Sequence, residues 1–196
     1  MNHIFYIMGK SASGKDTIYR ELLHEFEGKL KKIVLYTTRP MREGEQEGRE
    51  YFFVDETRYQ QFTWENKLIE ERAYSTIHGI WRYFTADDGQ IDLEKHSYLA
   101  IGTLESYMQL KKYFSESVLC PIYVQVEDGE RLSRALARER EQAIPKYAEL
   151  CRRFLADCED FSEEKIKEAG ILRRFDNLNF QICLAEIATY IKTVLY

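Results

Sequence analysis

The sequence predicts an α/β chain, a parallel sheet flanked by helices, with a small lobe added to it. Three observations carry this. Short apolar runs at residues 4–8, 98–101 and 122–126, the last interrupted only by Gln125, fit strands buried on both faces. Between them lie segments whose apolar residues return at helical spacing, the alternation of a parallel α/β sheet. That alternation breaks over residues 37–85, where polar, glycine-punctuated and aromatic stretches suit an inserted lobe.

Taken in order, Ile4-Phe5-Tyr6-Ile7-Met8 predicts the first strand, and Gly9 ends it. Residues 15–26 predict a helix with Ile18, Leu22 and Phe26 on one stripe, Tyr19 and Leu23 beside them, and Gly28 as its stop. Ile33-Val34-Leu35-Tyr36 reads as a second strand, rich in β-formers. Tyr51-Phe52-Phe53-Val54 reads as another, followed by a helix over 57–66 and a short strand at Leu68-Ile69-Glu70. The aromatic stretch 74–84 carries no clear period. After the two later strands, helices are expected over 129–141, 147–161 and 182–194. The expected domain is one unit: a core of 1–36 and 86–196 and a lobe of 37–85.

Composition narrows the classes. With 196 residues, 44% hydrophobic and 14% aromatic, the chain can build one core and is not of disordered type. A net charge of -5 argues against a general nucleic-acid binder, which must neutralise many phosphates. One nucleotide can still be held if the arginines gather locally. No apolar stretch approaches a membrane span, and the first eight residues lack the basic start and long apolar run of a signal peptide. We therefore expect a soluble cytoplasmic protein, without membrane partners, as a monomer or homodimer. Cys120, Cys151, Cys158 and Cys183 show no metal-type spacing and read as small core hydrophobes.

The strongest local signal is Gly9-Lys10-Ser11-Ala12-Ser13-Gly14-Lys15-Asp16-Thr17, placed after a strand and opening a helix. Small residues let backbone N–H groups curl around phosphate oxygens, and the helix start adds its dipole. Lys15 supplies a point charge for the β- and γ-phosphates of ATP. The loop, Gly9, Ser11, Ala12, Ser13, Gly14, Lys15, Asp16 and Thr17, is thus the expected ATP site. Asp16 stands where Ser or Thr usually follows the lysine. Thr17 is then the expected hydroxyl for Mg2+, directly or through water, as in the Gly-Lys-Gly-Thr form of adenylate kinases. The plain alternative is a Gly/Ser turn that merely caps a helix.

Further on, Arg39 and Arg42 flank Pro40, so a stiffened chain can converge two guanidinium forks on one dianion. Tyr51 can add a hydroxyl donor, with Arg49 as an alternative. By composition alone this could equally be a solvated loop, given Glu43, Glu45 and Glu47. The run from Thr37-Thr38-Arg39-Pro40-Met41-Arg42 through Gly44-Glu45, Gly48 and Tyr51 resembles the acceptor motif of the guanylate kinase family.

That resemblance implies the P-loop NTPase fold, ATP and GMP as substrates, and magnesium with the ATP. It also implies site residues. Glu70, after Leu68-Ile69, matches the family's guanine-reading glutamate; Tyr83 and Thr85 match its phosphate-binding Tyr and base-binding Ser/Thr. Arg39 and Lys15 are the expected catalytic cations, joined by closing arginines of a lid that the resemblance implies near 138–150, within the core.

Arg131, Arg134 and Arg138 share a helix face, and Arg152 and Arg153 follow; Arg138 and Arg153 are the preferred pair. Asp176-Asn177-Leu178-Asn179 resembles the segment bordering the adenine. Two positions depart from the family: Leu35 stands where a base-contacting Ser falls, and Ala100-Ile101-Gly102 replaces the usual Asp-x-Asp. A P-loop kinase for another small acceptor and a non-catalytic guanylate-kinase-like binding module stay open as alternatives.

Overall fold

The computed structural model describes residues 1–76 and 79–196. Its main sheet is all parallel, with β1 (Ile4–Met8) at the centre between β7 (Ser97–Gly102) and β8 (Leu119–Gln125). The edges are β2 (Leu30–Lys32) and β9 (Arg174–Asp176). Every residue of β1 is buried, as an unbroken apolar run demands. Side chains alternate faces along it. Phe5 and Ile7 pack with Ile18, Leu22 and Phe26 of α1 (Lys15–Glu25) and with Cys183, Ile187 and Ile191 of α7 (Phe180–Leu195). Ile4, Tyr6 and Met8 pack on the other side against α3 (Leu104–Tyr113) and α6 (Glu163–Glu168).

The second sheet, in order β4-β3-β6-β5, comprises β3 (Tyr36–Thr37), β4 (Phe52–Phe53), β5 (Leu68–Thr76) and β6 (Gly79–Ala86). Together with α2 (Glu56–Trp64) it forms a small lobe with an aromatic core of its own. Tyr36 stacks on Phe84 at 5.1 Å between centroids, with Tyr59 and Phe62 edge-on around them. Asp55 caps α2 by accepting the Arg58 N–H at 2.8 Å.

Several expectations change. The strand read at 33–36 is divided: Leu30–Lys32 pairs with β7, while Tyr36–Thr37 joins the lobe sheet. The apolar residues between are the crossing between two sheets, so their hydrophobicity reflects burial rather than a shared ladder. Val34 there gives its N–H to the Gln90 side chain instead. The aromatic stretch is two long strands, β5 and β6, paired antiparallel; positions 77 and 78 lie outside the described residues. Helices α3 and α6 and strand β9 were not anticipated; α6 and β9 are too short to show a period, and α3 opens on a Thr103–Ser106 capping box. Cys120 and Cys183 are buried as expected, but Cys151 is exposed.

The remaining helices, α4 (Asp128–Arg140) and α5 (Tyr147–Asp160), stand beside the first loop of the chain. Among the described residues, no helix is long and apolar enough to cross a membrane.

Candidate active site

The loop after β1 is held tightly from outside. A Cβ at Gly9 would overlap the Val124 carbonyl, and one at Gly14 the Asn177 amide. Gly14 takes the left-handed region (φ 85°) that glycine tolerates, and caps α1 without any side-chain bond. The first N–H groups of α1 are therefore left to face an anion. Asn177 donates to the Ser13 carbonyl at 2.8 Å, and Asp157 accepts the Ser11 N–H at 2.8 Å. Among the described residues the buried Ser13 hydroxyl has no hydrogen-bond partner.

The helix-face reading of Arg131, Arg134 and Arg138 is divided by the fold. Arg131 is 1% exposed, its guanidinium bound to Asp128 and Asp157 and placed over the Phe154 ring at 4.0 Å. It also reaches the Ser11 carbonyl at 3.4 Å. It braces the loop from behind. Arg134 pairs with Glu130 and donates to the Asn177 carbonyl, and Arg138 is exposed. Lys10 binds Asp128 at 3.1 Å.

One cleft of about 1340 Å³ runs between the loop and the lobe. That exceeds the roughly 300–1,000 Å³ usual for one small ligand, so two can lie in it side by side. Lys15, Asp16, Arg42, Tyr51, Tyr83, Arg152 and Arg153 all line it. So do Arg20, Lys32, Arg49 and Arg72, against only Asp16 and Glu50 among the described acids on its wall. An acidic chain has gathered a basic cleft, which concentrates field on polyanions. Arg152 and Arg153 share Glu149 at 2.8 Å each, pulling its carboxyl down to about 2. Lys15 lies 3.5 Å from Asp16, and Thr17 is exposed one residue further on.

Arg39 is 4% exposed, and its two terminal nitrogens hold Glu45 at 2.7 and 2.5 Å. The Tyr51 and Phe53 rings lie beside the guanidinium at 5.2 and 5.5 Å. Those bonds to Arg39 are the main reason Glu45 is held down at about 2; the Arg42 N–H adds another. Tyr51 and Tyr83 meet edge-on at 5.6 Å, and burial is the first cause raising the Tyr51 phenol.

Glu70 is 2% exposed and accepts from Thr85 at 2.9 Å and from Arg72 Nε at 3.3 Å. Burial pushes its carboxyl upward, opposed by the Arg72 charge. Arg72 was not singled out from the sequence. The available signal was its spacing, two residues after Glu70 and hence on the same side of a strand. At the two family departures, Leu35 and Gly102 both line the cleft. A Cβ at Gly102 would overlap the Tyr6 hydroxyl, which bonds to Ser106.

Fold and site together define a P-loop α/β protein of the kinase type, with a second lobe across a basic cleft from the loop. The guanylate kinase family model matches residues 1–163. A guanylate kinase of Thermotoga maritima is 27% identical over 189 residues, 96% of this chain and 77% of its own length. One of Coxiella burnetii is 39% identical over 79 residues, 38% of each chain. In architecture the chain is similar to the crystal structure of guanylate kinase from Anaplasma phagocytophilum. The TM-score is 0.62 at 20% identity, covering 99% of this chain and 84% of that one. The chain belongs to the guanylate kinase family.

Proposed function

We propose that this protein transfers the γ-phosphoryl group of ATP to a nucleoside monophosphate, with GMP the preferred acceptor. The observation that carries the reading is one cleft with an open helix start and Lys15 on one wall and Arg42, Tyr51 and Tyr83 on the other. ATP lies along the loop from Gly9 to Thr17, its phosphates against the backbone N–H groups and Lys15. The acceptor phosphate is bound by Arg42, Tyr51 and Tyr83, with Arg39 swinging from Glu45 to the incoming dianion. An acceptor phosphate is already a nucleophile, so no side-chain base is needed; alignment and charge neutralisation carry the rate.

Magnesium fits this site, because the Asp16 carboxylate and the Thr17 hydroxyl are hard oxygen donors beside the phosphate loop. Bound there with ATP, it would neutralise charge on the transferring group. Arg153 with Arg152 faces the cleft, and Arg138 at the end of α4 joins them as the lid closes, excluding water.

The test is ADP release with magnesium-ATP and GMP, dGMP, AMP, CMP or UMP, run beside Lys15→Ala. We expect turnover concentrated on guanine nucleotides and lost by at least a hundredfold in the variant, whose fold should persist because among the described residues the ion pair of Lys15 is with the exposed Asp16. Turnover of another acceptor instead would favour the kinase with a different substrate, for which Leu35 and Gly102 are the supporting departures. Full activity in Lys15→Ala would refute the phosphate-loop reading.

A further inference from the structure

Resting on the reading that the acceptor is a guanine nucleotide, we propose that Arg72 meets the acceptor base, reading the O6 and N7 atoms of guanine, while Glu70 holds Arg72 in position. The two residues are neighbours on one side of β5, but they are not equally available. The Glu70 side chain is 1% exposed, and both its oxygens are engaged, one by Thr85 and one by Arg72. The Arg72 side chain is itself only 9% exposed, but unlike Glu70 it lines the cleft, as do Gly102, Thr103 and Tyr74.

A guanidinium carries five N–H donors in a fixed fork. Glu70 takes the one on Nε, and the Tyr74 hydroxyl interacts with Arg72 from the cleft edge. Donors therefore remain for a ligand. Among the described residues the cleft wall beside them carries no acid: Gly102 has no side chain, the Tyr6 hydroxyl in that space is bonded to Ser106, and Glu105, whose charge reaches Glu70 and Tyr74, does not line the cleft. A carboxylate at that position would have capped the fork. Leu35 adds an apolar surface in the same cleft for the flat of a base.

A cationic fork facing a base selects adjacent acceptors. Guanine offers O6 and N7 together, the commonest specific arginine contact to a base. Adenine sets an amino donor beside N7 and meets the fork donor to donor; pyrimidines have no N7. A glutamate reader would instead demand the N1–H and 2-amino donors. The two readings depend on different atoms of the same ligand.

The experiment compares GMP, IMP and 7-deaza-GMP as acceptors for the unaltered protein, which avoids any question of a variant's folding. IMP keeps O6 and N7 but lacks the 2-amino group; 7-deaza-GMP keeps that group and loses N7. We expect IMP within about threefold of GMP in kcat/KM, and 7-deaza-GMP lower by roughly tenfold to a hundredfold, mostly through KM. The reverse ranking assigns the base to Glu70 and overturns the proposal. Equal use of all three overturns it as well, since the base is then unread. No turnover of GMP or IMP, with ATP still bound, removes the guanine reading itself and the proposal with it. As a check on positioning, Glu70→Ala should erase the 7-deaza-GMP penalty and Glu70→Gln should restore it; a penalty retained in Glu70→Ala removes Glu70 from that role.

Discussion

Arg131→Met should lower the thermal midpoint more than the same change at its helix neighbour Arg134, and loosen ATP binding at the same time. Methionine keeps an aliphatic stem and removes the guanidinium together with its place over the Phe154 ring. The loss leaves Asp157, whose side chain is 18% exposed, without its ion-pair partner beside the phosphate loop. Removing one partner of a buried pair costs about 3–5 kcal/mol. Asp128 is 44% exposed and can rehydrate, which places the figure at the low end, about 3 kcal/mol. For a chain of this size that corresponds to a fall of about 6–12 °C.

Arg134 is 31% exposed, paired with Glu130 and bonded to the Asn177 carbonyl, so its loss should cost about 1–2 kcal/mol. Asp157 also holds the Ser11 N–H, so the loosened loop should show a smaller ATP-induced rise in midpoint. Calorimetry of the two variants with and without ATP reads both effects. Equal shifts for Arg131→Met and Arg134→Met would refute the argument that burial behind the loop makes Arg131 different.

Two further outcomes follow from contacts described above. Glu45 is held at about 2, below its ordinary 4.5, by Arg39, so its contribution to stability is present above 4.5 and lost as pH falls toward 2. The midpoint difference between the wild type and Glu45→Gln should accordingly be constant near neutrality and shrink through that window; a constant offset down to pH 2 would contradict the assignment. Gly102→Ala should destabilise by about 1–3 kcal/mol through overlap with the Tyr6 hydroxyl, and less in a Tyr6→Phe background. Denaturant midpoints test this, and equal costs in both backgrounds would show that the hydroxyl is not what excludes a side chain.

Much of this protein is decided by short-range pattern. An unbroken apolar run is enough to make β1 a doubly covered strand, and Gly9, Gly14 and Lys15 at their spacing define a phosphate loop wherever a strand feeds a helix. The stretch that resembles the family's acceptor motif is equally local: Arg39, Arg42, Gly44, Glu45 and Tyr51 lie within thirteen residues of chain. Tertiary structure decided what distance along the chain conceals. Ile33-Val34-Leu35 is apolar because it passes between two sheets, a burial that a strand would mimic in sequence.

Arg131, Arg134 and Arg138 have one spacing but three environments, since α4 packs its N-terminal half on the phosphate loop and leaves its end exposed. The Glu70–Arg72–Thr85 cluster needs β5 and β6 in register, and the Tyr6–Gly102 exchange needs β1 beside β7. Local sequence selects the chemical groups because hydrogen bonding and backbone conformation act over a few residues. Which groups are buried, paired or left facing the cleft depends on contacts made only when distant segments meet.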